Sequence, residues 1–177
     1  MRLFIAVELS QEMKDYLFNL QKELNLDAKI KWVGKKHMHL TLKFLGDVEE
    51  EKLNKIIELL KSIKFEAFEF GLKCLDVFDK SFPRVLFVDL WPTDKIMDLQ
   101  FKVENMLKDL FEIDKRFKAH LTIGRIKFVR DKVKFLDTIE KFIVKDIRIK
   151  VDSFCLIKSV LRKEGPEHTI IKEFKGG

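Results

Sequence analysis

The tetrapeptide His-Leu-Thr-Leu occupies residues 39–42, and a near copy, His-Leu-Thr-Ile, occupies residues 120–123. The chain has 177 residues, of which 4 are histidine and 5 are threonine. Chance alone therefore predicts only about 0.1 His-x-Thr triplets in a chain of this composition. Two copies, each with leucine inside the triplet and an aliphatic residue after it, indicate a repeated functional element.

Both tetrapeptides have the alternation of a β-strand. His39 and Thr41 should lie on one face of their strand, and His120 and Thr122 on one face of theirs. The aliphatic residues between and after them would face an apolar core. If the two strands face each other, the cleft between them contains two imidazoles and two hydroxyls.

This set of side chains suits displacement at a phosphorus atom. One neutral imidazole can deprotonate an attacking water while one imidazolium protonates the leaving alkoxide. Two groups with pKa values near 6.5 can hold opposite protonation states around neutral pH, and hydroxyls can donate to the phosphoryl oxygens. We therefore predict that His39, Thr41, His120 and Thr122 are catalytic and that no metal is required.

Hydrophobic periodicity predicts an α+β fold in which strand, helix and strand recur twice. Helices are predicted at 11–25, with Ser10 as cap, at 49–62, from Thr93 through Leu110, and at 131–142. Strands are predicted at 2–8, 29–33, 37–44, 65–75, 84–90, 119–127, 144–158 and 168–174. Because no linker separates the halves, we expect residues 1–177 to form a single bilobal domain.

Composition and charge favour some classes of protein for this chain and exclude others. The net charge of +6 favours polyanionic partners, and no apolar stretch is long enough to span a membrane. The 2 cysteines lie far apart, as is typical of a reducing compartment, so we expect a cytoplasmic location.

Beyond the tetrapeptides, longer blocks of the chain resemble the 2H phosphoesterase superfamily, and specifically the RNA 2′,3′-cyclic phosphodiesterases, also called 2′-5′ RNA ligases. The resemblance covers nearly the whole chain. The blocks that carry it are Arg2-Leu3-Phe4-Ile5-Ala6, Trp32, 39–46 (HLTLKFLG), 117–125 (FKAHLTIGR), Ser159-x-Leu161 and Gly165-Pro166.

The resemblance implies a bilobal, pseudo-twofold fold in which two antiparallel sheets line a central cleft, with helices outside. It also implies hydrolysis of RNA 2′,3′-cyclic phosphate ends to 2′-phosphomonoesters, with reversible ATP-independent 2′-5′ RNA ligation as a possible further reaction of the same site. His39 would be the general acid and His120 the general base, although the residues alone leave both assignments open. No cofactor is implied; the expected partner is RNA, with tRNA fragments as candidates, and a monomer is expected.

Two substrate-binding residues follow from the resemblance. Arg125, five residues after His120, matches the cation that contacts the phosphate, and a guanidinium is well suited to that contact. Phe44, five residues after His39, matches an aromatic residue against the terminal base. Strict alternation, however, predicts that Phe44 faces the core with its aliphatic neighbours.

Three histidine-related features depart from the family or suggest other chemistry. Ala119 stands where many relatives have proline, and His168 where an aromatic residue is frequent. His37 and His39 have the spacing of a metal-binding pair, but no third ligand accompanies them. Three alternatives stay open: an RNA-binding module without turnover; a related enzyme acting on ADP-ribose cyclic phosphate or 2′,5′-oligoadenylate; and, least favoured, a metal-dependent nuclease.

Overall fold

A computed structural model describes residues 1–163 and 165–177, which form four α-helices, nine β-strands and two 3-10 turns. In chain order these are β1 (Arg2–Glu8), α1 (Gln11–Glu23), β2 (Ala28–Trp32), a 3-10 turn (Lys35–His37), β3 (His39–Asp47), a 3-10 turn (Glu50–Lys52), α2 (Leu53–Lys61), β4 (Phe68–Phe78), β5 (Val85–Trp91), α3 (Asp94–Leu107), β6 (His120–Val129), α4 (Lys132–Lys141), β7 (Arg148–Val151), β8 (Ser153–Arg162) and β9 (Gly165–Lys175).

The strands form two antiparallel sheets. The four-stranded sheet has the order β3-β1-β8-β9, and the five-stranded sheet has the order β2-β6-β5-β4-β7. Helices α2 and α3 pack beside the four-stranded sheet, at β9 and β3, and α4 packs on β4 of the five-stranded sheet. The predicted two-sheet α+β architecture with outer helices is confirmed. In the described chain, no helix is both long enough and apolar enough to cross a membrane.

Local sequence accounts for the starts of α1 and α4. The Ser10 hydroxyl accepts a hydrogen bond from the Met13 backbone N–H at 3.2 Å, as an N-cap does. The Asp131 carboxylate does the same for Lys134 at 3.0 Å. The apolar faces of both sheets and of all four helices then contribute to one continuous buried cluster.

Two predicted strands differ from the structure. His37 lies in the 3-10 turn Lys35–His37 rather than in a strand 37–44, so β3 begins at His39. The predicted strand 144–158 is two strands, β7 and β8, which belong to different sheets. Val151 and Phe154 are both buried with two residues between them, so alternation breaks at Asp152, where the chain changes sheet. An apolar run does not reveal such a change.

Each tetrapeptide ends in a β-bulge. In the pairing of β3 with β1, Thr41 and Lys43 oppose consecutive residues, which leaves Leu42 as the extra residue. In the pairing of β6 with β5, Thr122 and Gly124 oppose consecutive residues, which leaves Ile123 as the extra residue. A bulge reverses the alternation beyond it, so residues after each tetrapeptide do not face as a regular strand predicts.

Lys43 is buried at the first bulge. Its ammonium donates to the Glu104 carboxylate on α3 and to the Glu112 carbonyl, both at 2.7 Å. Gln100 donates to the other oxygen of Glu104 at 3.1 Å. Because both charged side chains are only 4% exposed, each depends on its partner to offset the loss of water.

We expect Glu104→Ala to lower the free energy of unfolding by about 3–5 kcal/mol, because it leaves the Lys43 ammonium buried without a counter-charge. Urea denaturation monitored by circular dichroism measures this. Asp98→Ala, on the same helix, is the matched control, since Asp98 pairs with Lys102 on the exposed surface and should cost less than about 1 kcal/mol. Equal losses in the two variants would contradict the structural role of the buried pair.

Candidate active site at the two histidine strands

The four signature side chains occupy equivalent positions in the two lobes. His39 is the first residue of β3 and His120 the first residue of β6. Both histidines and both threonines, Thr41 and Thr122, are half-buried, whereas the aliphatic residues between and after them are buried. Strands β3 and β6 also lie close to each other. The structure therefore agrees with the alternation that the sequence predicts up to each bulge.

His39 lies in an aromatic setting. Its ring stacks on Phe4 with centroids 4.8 Å apart, and the His168 ring is 5.4 Å away. His168 in turn meets Phe4 edge-on at 5.0 Å and His37 at 4.7 Å. Three of the 4 histidines thus form one cluster over Phe4. Among the described residues, no three His, Cys, Asp or Glu side chains are arranged to hold a metal ion.

This setting disfavours the charged form of His39. Burial is the main reason that the pKa of His39 falls from 6.5 to about 3. A charge on His168 is the next cause, followed by Lys14 and His37, while a hydrogen bond with the His37 backbone acts in the opposite direction. At neutral pH the imidazole of the free protein is therefore uncharged.

His120 has a similar aromatic surrounding but a different electrostatic one. Its ring meets Phe78 edge-on at 4.8 Å and Phe87 at 5.3 Å. Its Nδ1 lies 2.7 Å from the Lys118 carbonyl oxygen. A carbonyl only accepts, so Nδ1 carries the hydrogen and Nε2 is left for proton exchange. Burial is the main cause that lowers the pKa of His120, and the Lys118 charge lowers it further, whereas this hydrogen bond and the Asp89 carboxylate raise it.

A lysine–carboxylate pair accompanies each histidine. Glu8 of β1 pairs in register with His39, and its carboxylate accepts from Lys14 at 2.7 Å. Asp89 of β5 pairs in register with His120, and its carboxylate lies 3.6 Å from the Lys118 ammonium. The two lobes thus repeat this arrangement as well as the tetrapeptide.

Lys118 joins several groups of the second lobe. Besides Asp89, its ammonium lies 3.6 Å from the Asp76 carboxylate and 4.7 Å from the centre of the Phe87 ring. No role for Lys118, Asp89 or the phenylalanines beside the histidines follows from the sequence alone. Phe78, Phe87 and Asp89 lie 31 or more residues from His120 along the chain. Only the pairing of the strands shows that they are its neighbours.

The bulges determine on which face of its strand the side chain of Phe44 or Arg125 lies. Phe44 is 71% exposed and its ring lies 6.1 Å from Phe4, on the His39 side of β3. The expectation from alternation that Phe44 faces the core is therefore wrong, and the extra residue Leu42 is the reason. Arg125 is exposed and pairs with Val85, which shares a face with Phe87 and Asp89 on β5. Both side chains thus lie on the same face as their histidine.

Known proteins resemble the chain in sequence and in fold. Residues 7–87 match the family of LigT like phosphoesterases. The RNA 2′,3′-cyclic phosphodiesterase of Methanocaldococcus jannaschii is 34% identical over 179 residues, which cover 98% of this chain and 100% of that protein. The one of Thermotoga maritima is 34% identical over 184 residues, which cover 100% and 97%.

The crystal structure of TT0787 from Thermus thermophilus superposes with a TM-score of 0.84 at 26% identity, covering 99% of this chain and 97% of that one. The alignments with the two curated relatives extend beyond residues 7–87 and include the second histidine strand. Sequence, fold and site geometry thus agree that the chain belongs to the LigT-like phosphoesterase family.

Proposed function

We propose that the cleft hydrolyses the 2′,3′-cyclic phosphate at the 3′ end of RNA to a 2′-phosphomonoester, by proton transfer through His39 and His120 and without a metal. The observation that supports this most is the repeated environment of the two imidazoles. Each begins a strand and packs against a phenylalanine ring, and the His120 ring is also hydrogen-bonded to the backbone two residues earlier. The names of the two curated relatives point to the cyclic end of RNA as substrate.

In the proposed step a water oxygen bonds to phosphorus and the bond from phosphorus to the 3′ oxygen breaks. One imidazole takes the water proton, and the other, as imidazolium, gives a proton to the 3′ oxygen. The products are a 2′-phosphate and a free 3′-hydroxyl. The hydroxyls of Thr41 and Thr122 would donate to the two non-bridging oxygens, and the Arg125 guanidinium would balance the phosphate charge.

The substrate must charge one of the two imidazoles. In the free protein the pKa of His39 is about 3, so His39 cannot act as an acid near pH 7 until its surroundings change. A phosphodiester bound beside the ring brings a negative charge and excludes water, and this charge stabilises the imidazolium. Family resemblance makes His39 the acid. Beside His120, the hydrogen bond to the Lys118 carbonyl and the Asp89 carboxylate act against the lowering of its pKa by burial and by the Lys118 charge.

The proposed mechanism also accounts for a ligation reaction. A 5′-hydroxyl of a second RNA can replace water as the nucleophile in the same step, so that the bond from phosphorus to the 3′ oxygen breaks and a 2′-5′ linkage forms without ATP. By microscopic reversibility, the same groups can also cleave that linkage and close the cyclic phosphate again. Cleaved tRNA as substrate, a monomeric state and a cytoplasmic location remain predictions from the sequence.

We expect His39→Ala and His120→Ala each to lower turnover of a short RNA 2′,3′-cyclic phosphate by about 10²–10⁴-fold in the presence of EDTA. Chromatography against 2′- and 3′-phosphate standards identifies the product. His37→Asn, outside the strand but in the same histidine cluster, is the control and should keep most of the activity. Wild-type inactivity in EDTA, or a 3′-phosphate product, would contradict the mechanism.

The same two variants identify the general acid. A substrate whose 3′ bridging oxygen is replaced by sulfur has a leaving group that departs without a proton. We expect this substrate to restore most of the activity of the variant that lacks the acid and little of the other. Equal restoration in both variants would contradict a division into one acid and one base.

Acid should destabilise the protein through His39. Because the folded-state pKa of about 3 lies below the ordinary value of 6.5, the unfolded chain binds more protons between these two pH values. The free energy of unfolding therefore falls as the pH is lowered from about 6.5 towards 3. Urea titrations at several pH values should give His39→Asn a shallower fall than wild type, by up to a few kcal/mol; parallel curves would contradict a buried neutral His39.

Phe44→Ala should weaken substrate binding without weakening the fold. The side chain is 71% exposed, so Tm should change little, whereas the loss of a stacked base raises KM about 5- to 100-fold. Phe101→Ala is the matched control, because Phe101 is 67% exposed on α3 and outside the cleft. Steady-state kinetics with a dinucleotide cyclic phosphate separates KM from kcat; equal effects of the two variants would contradict base stacking on Phe44.

A further inference from the structure

The cleft face of the five-stranded sheet continues past Arg125 onto the edge strand β2. Lys31 pairs in register with Arg125, and Lys29 pairs with Phe128. A second irregularity of β6 lies between these two pairs and leaves Lys127 as the extra residue. As at the first bulge, the extra residue reverses the alternation, and it brings Phe128 to the same face as Arg125.

This strip of four residues, Lys29, Lys31, Arg125 and Phe128, is positively charged. Among the described residues, none of its three cations has a carboxylate oxygen within 4 Å. The neighbouring Arg130, in contrast, lies 3.6 Å from Asp27. The positive charge of the strip is thus left for a partner that is itself negative.

The strip also contains an aromatic ring. Phe128 is 61% exposed, beside Lys29. Lysines on an edge strand sometimes have no role other than to prevent that strand from pairing with another chain. That role, however, requires no exposed phenylalanine on the same face. Cations that follow a phosphate backbone, together with a ring on which a base stacks, are the features of surfaces that bind single-stranded nucleic acid.

The direction of the strip fits an RNA chain whose 3′ end is at the histidines. From His120 to Phe128, β6 extends roughly 20 Å at about 3.3 Å per residue, allowing for its two extra residues. Such a length accommodates on the order of three nucleotides of an extended strand. Phosphates upstream of the reacting end would thus reach Lys31 and Lys29.

We propose that Lys29, Lys31 and Phe128 form a subsite for the nucleotides that precede the RNA end, with the phosphates on the lysines and one base on Phe128. The subsite rests on the proposed function for its orientation, since the cyclic phosphate fixes the 3′ end at His39 and His120. It makes the enzyme selective for oligonucleotides over mononucleotides.

Binding of oligoribonucleotides that end in a 2′-phosphate tests the subsite without turnover. Fluorescence titrations would use lengths of one, two, four and eight nucleotides with wild type, Lys29→Glu/Lys31→Glu and Phe128→Ala. The control, Lys55→Glu/Lys150→Glu, changes the net charge equally at exposed lysines on α2 and on β7, the opposite edge of the sheet.

For wild type we expect affinity to rise with length to about four nucleotides and then level off. In Lys29→Glu/Lys31→Glu the ratio of tetranucleotide to mononucleotide affinity should fall at least tenfold. The negative slope of log affinity against log salt should become less steep by about 1.4 for two lost phosphate contacts. Phe128→Ala should lower the ratio about tenfold with no change of that slope.

Two results would overturn the subsite: an affinity that does not change with length in wild type, or equal losses in the control and in Lys29→Glu/Lys31→Glu. The proposed reaction is judged separately, by hydrolysis of a tetranucleotide that ends in a 2′,3′-cyclic phosphate, a length that fills the subsite. If that hydrolysis fails while length-dependent binding persists and depends on Lys29 and Lys31, the subsite stands and the proposed reaction falls.

Discussion

Two bulged peptide segments, at Leu42–Lys43 and at Ile123–Gly124, determine which side chains reach the cleft, and buried polar groups hold both in place. Glu104 of α3 binds the Lys43 ammonium of the first bulge at 2.7 Å. Gln21 of α1 donates at 2.8 Å to the Ile123 carbonyl of the second bulge, which also accepts from the Val33 N–H at 2.9 Å. Gln21 and Glu104 are each the eleventh residue after the N-cap of their helix. In both lobes, therefore, a polar side chain at the same helix position binds the bulge.

The two halves fulfil the same geometric requirement with different chemistry. At the first bulge the position four residues after the histidine is Lys43, whose buried charge needs a counter-charge. At the second it is Gly124, where a Cβ atom would lie 2.6 Å from the Ile30 side chain, so that only glycine allows β2 to pack this closely. Since α1 follows β1 but binds β6, and α3 follows β5 but binds β3, each helix fixes the histidine strand of the other sheet.

Alternation and periodicity in the sequence predict the class of fold, the existence of all four helices and the faces of His39 and His120. These patterns predict the wrong side-chain direction where a bulge adds one residue to a strand. They also predict the wrong strand bounds where the chain passes from one sheet to the other. Leu42, a leucine in a strand, gives no sign that it is an extra residue, and so alternation predicts the wrong direction for Phe44. Similarly, nothing in the sequence around Asp152 shows that the chain passes there from the five-stranded sheet, which contains β7, to the four-stranded sheet, which contains β8. Such features depend on contacts made by distant residues, such as Glu104, which periodicity does not report.

The lobes have nearly the same backbone geometry, with phenylalanine and a lysine–carboxylate pair beside each histidine, but they differ in the side chains that lie beyond. On the His39 side lie Phe4, the exposed Phe44 and two further histidines, whose pKa values burial lowers. Around His120 and beyond lie Lys118, Arg125 and the lysines of β2. A nucleotide end carries an apolar base face and an anionic backbone. A symmetric cleft would accept such an end in either orientation. With the proposed function, the base would lie on the four-stranded sheet and the phosphate chain on the five-stranded sheet, so each imidazole would always meet the same oxygen of the substrate.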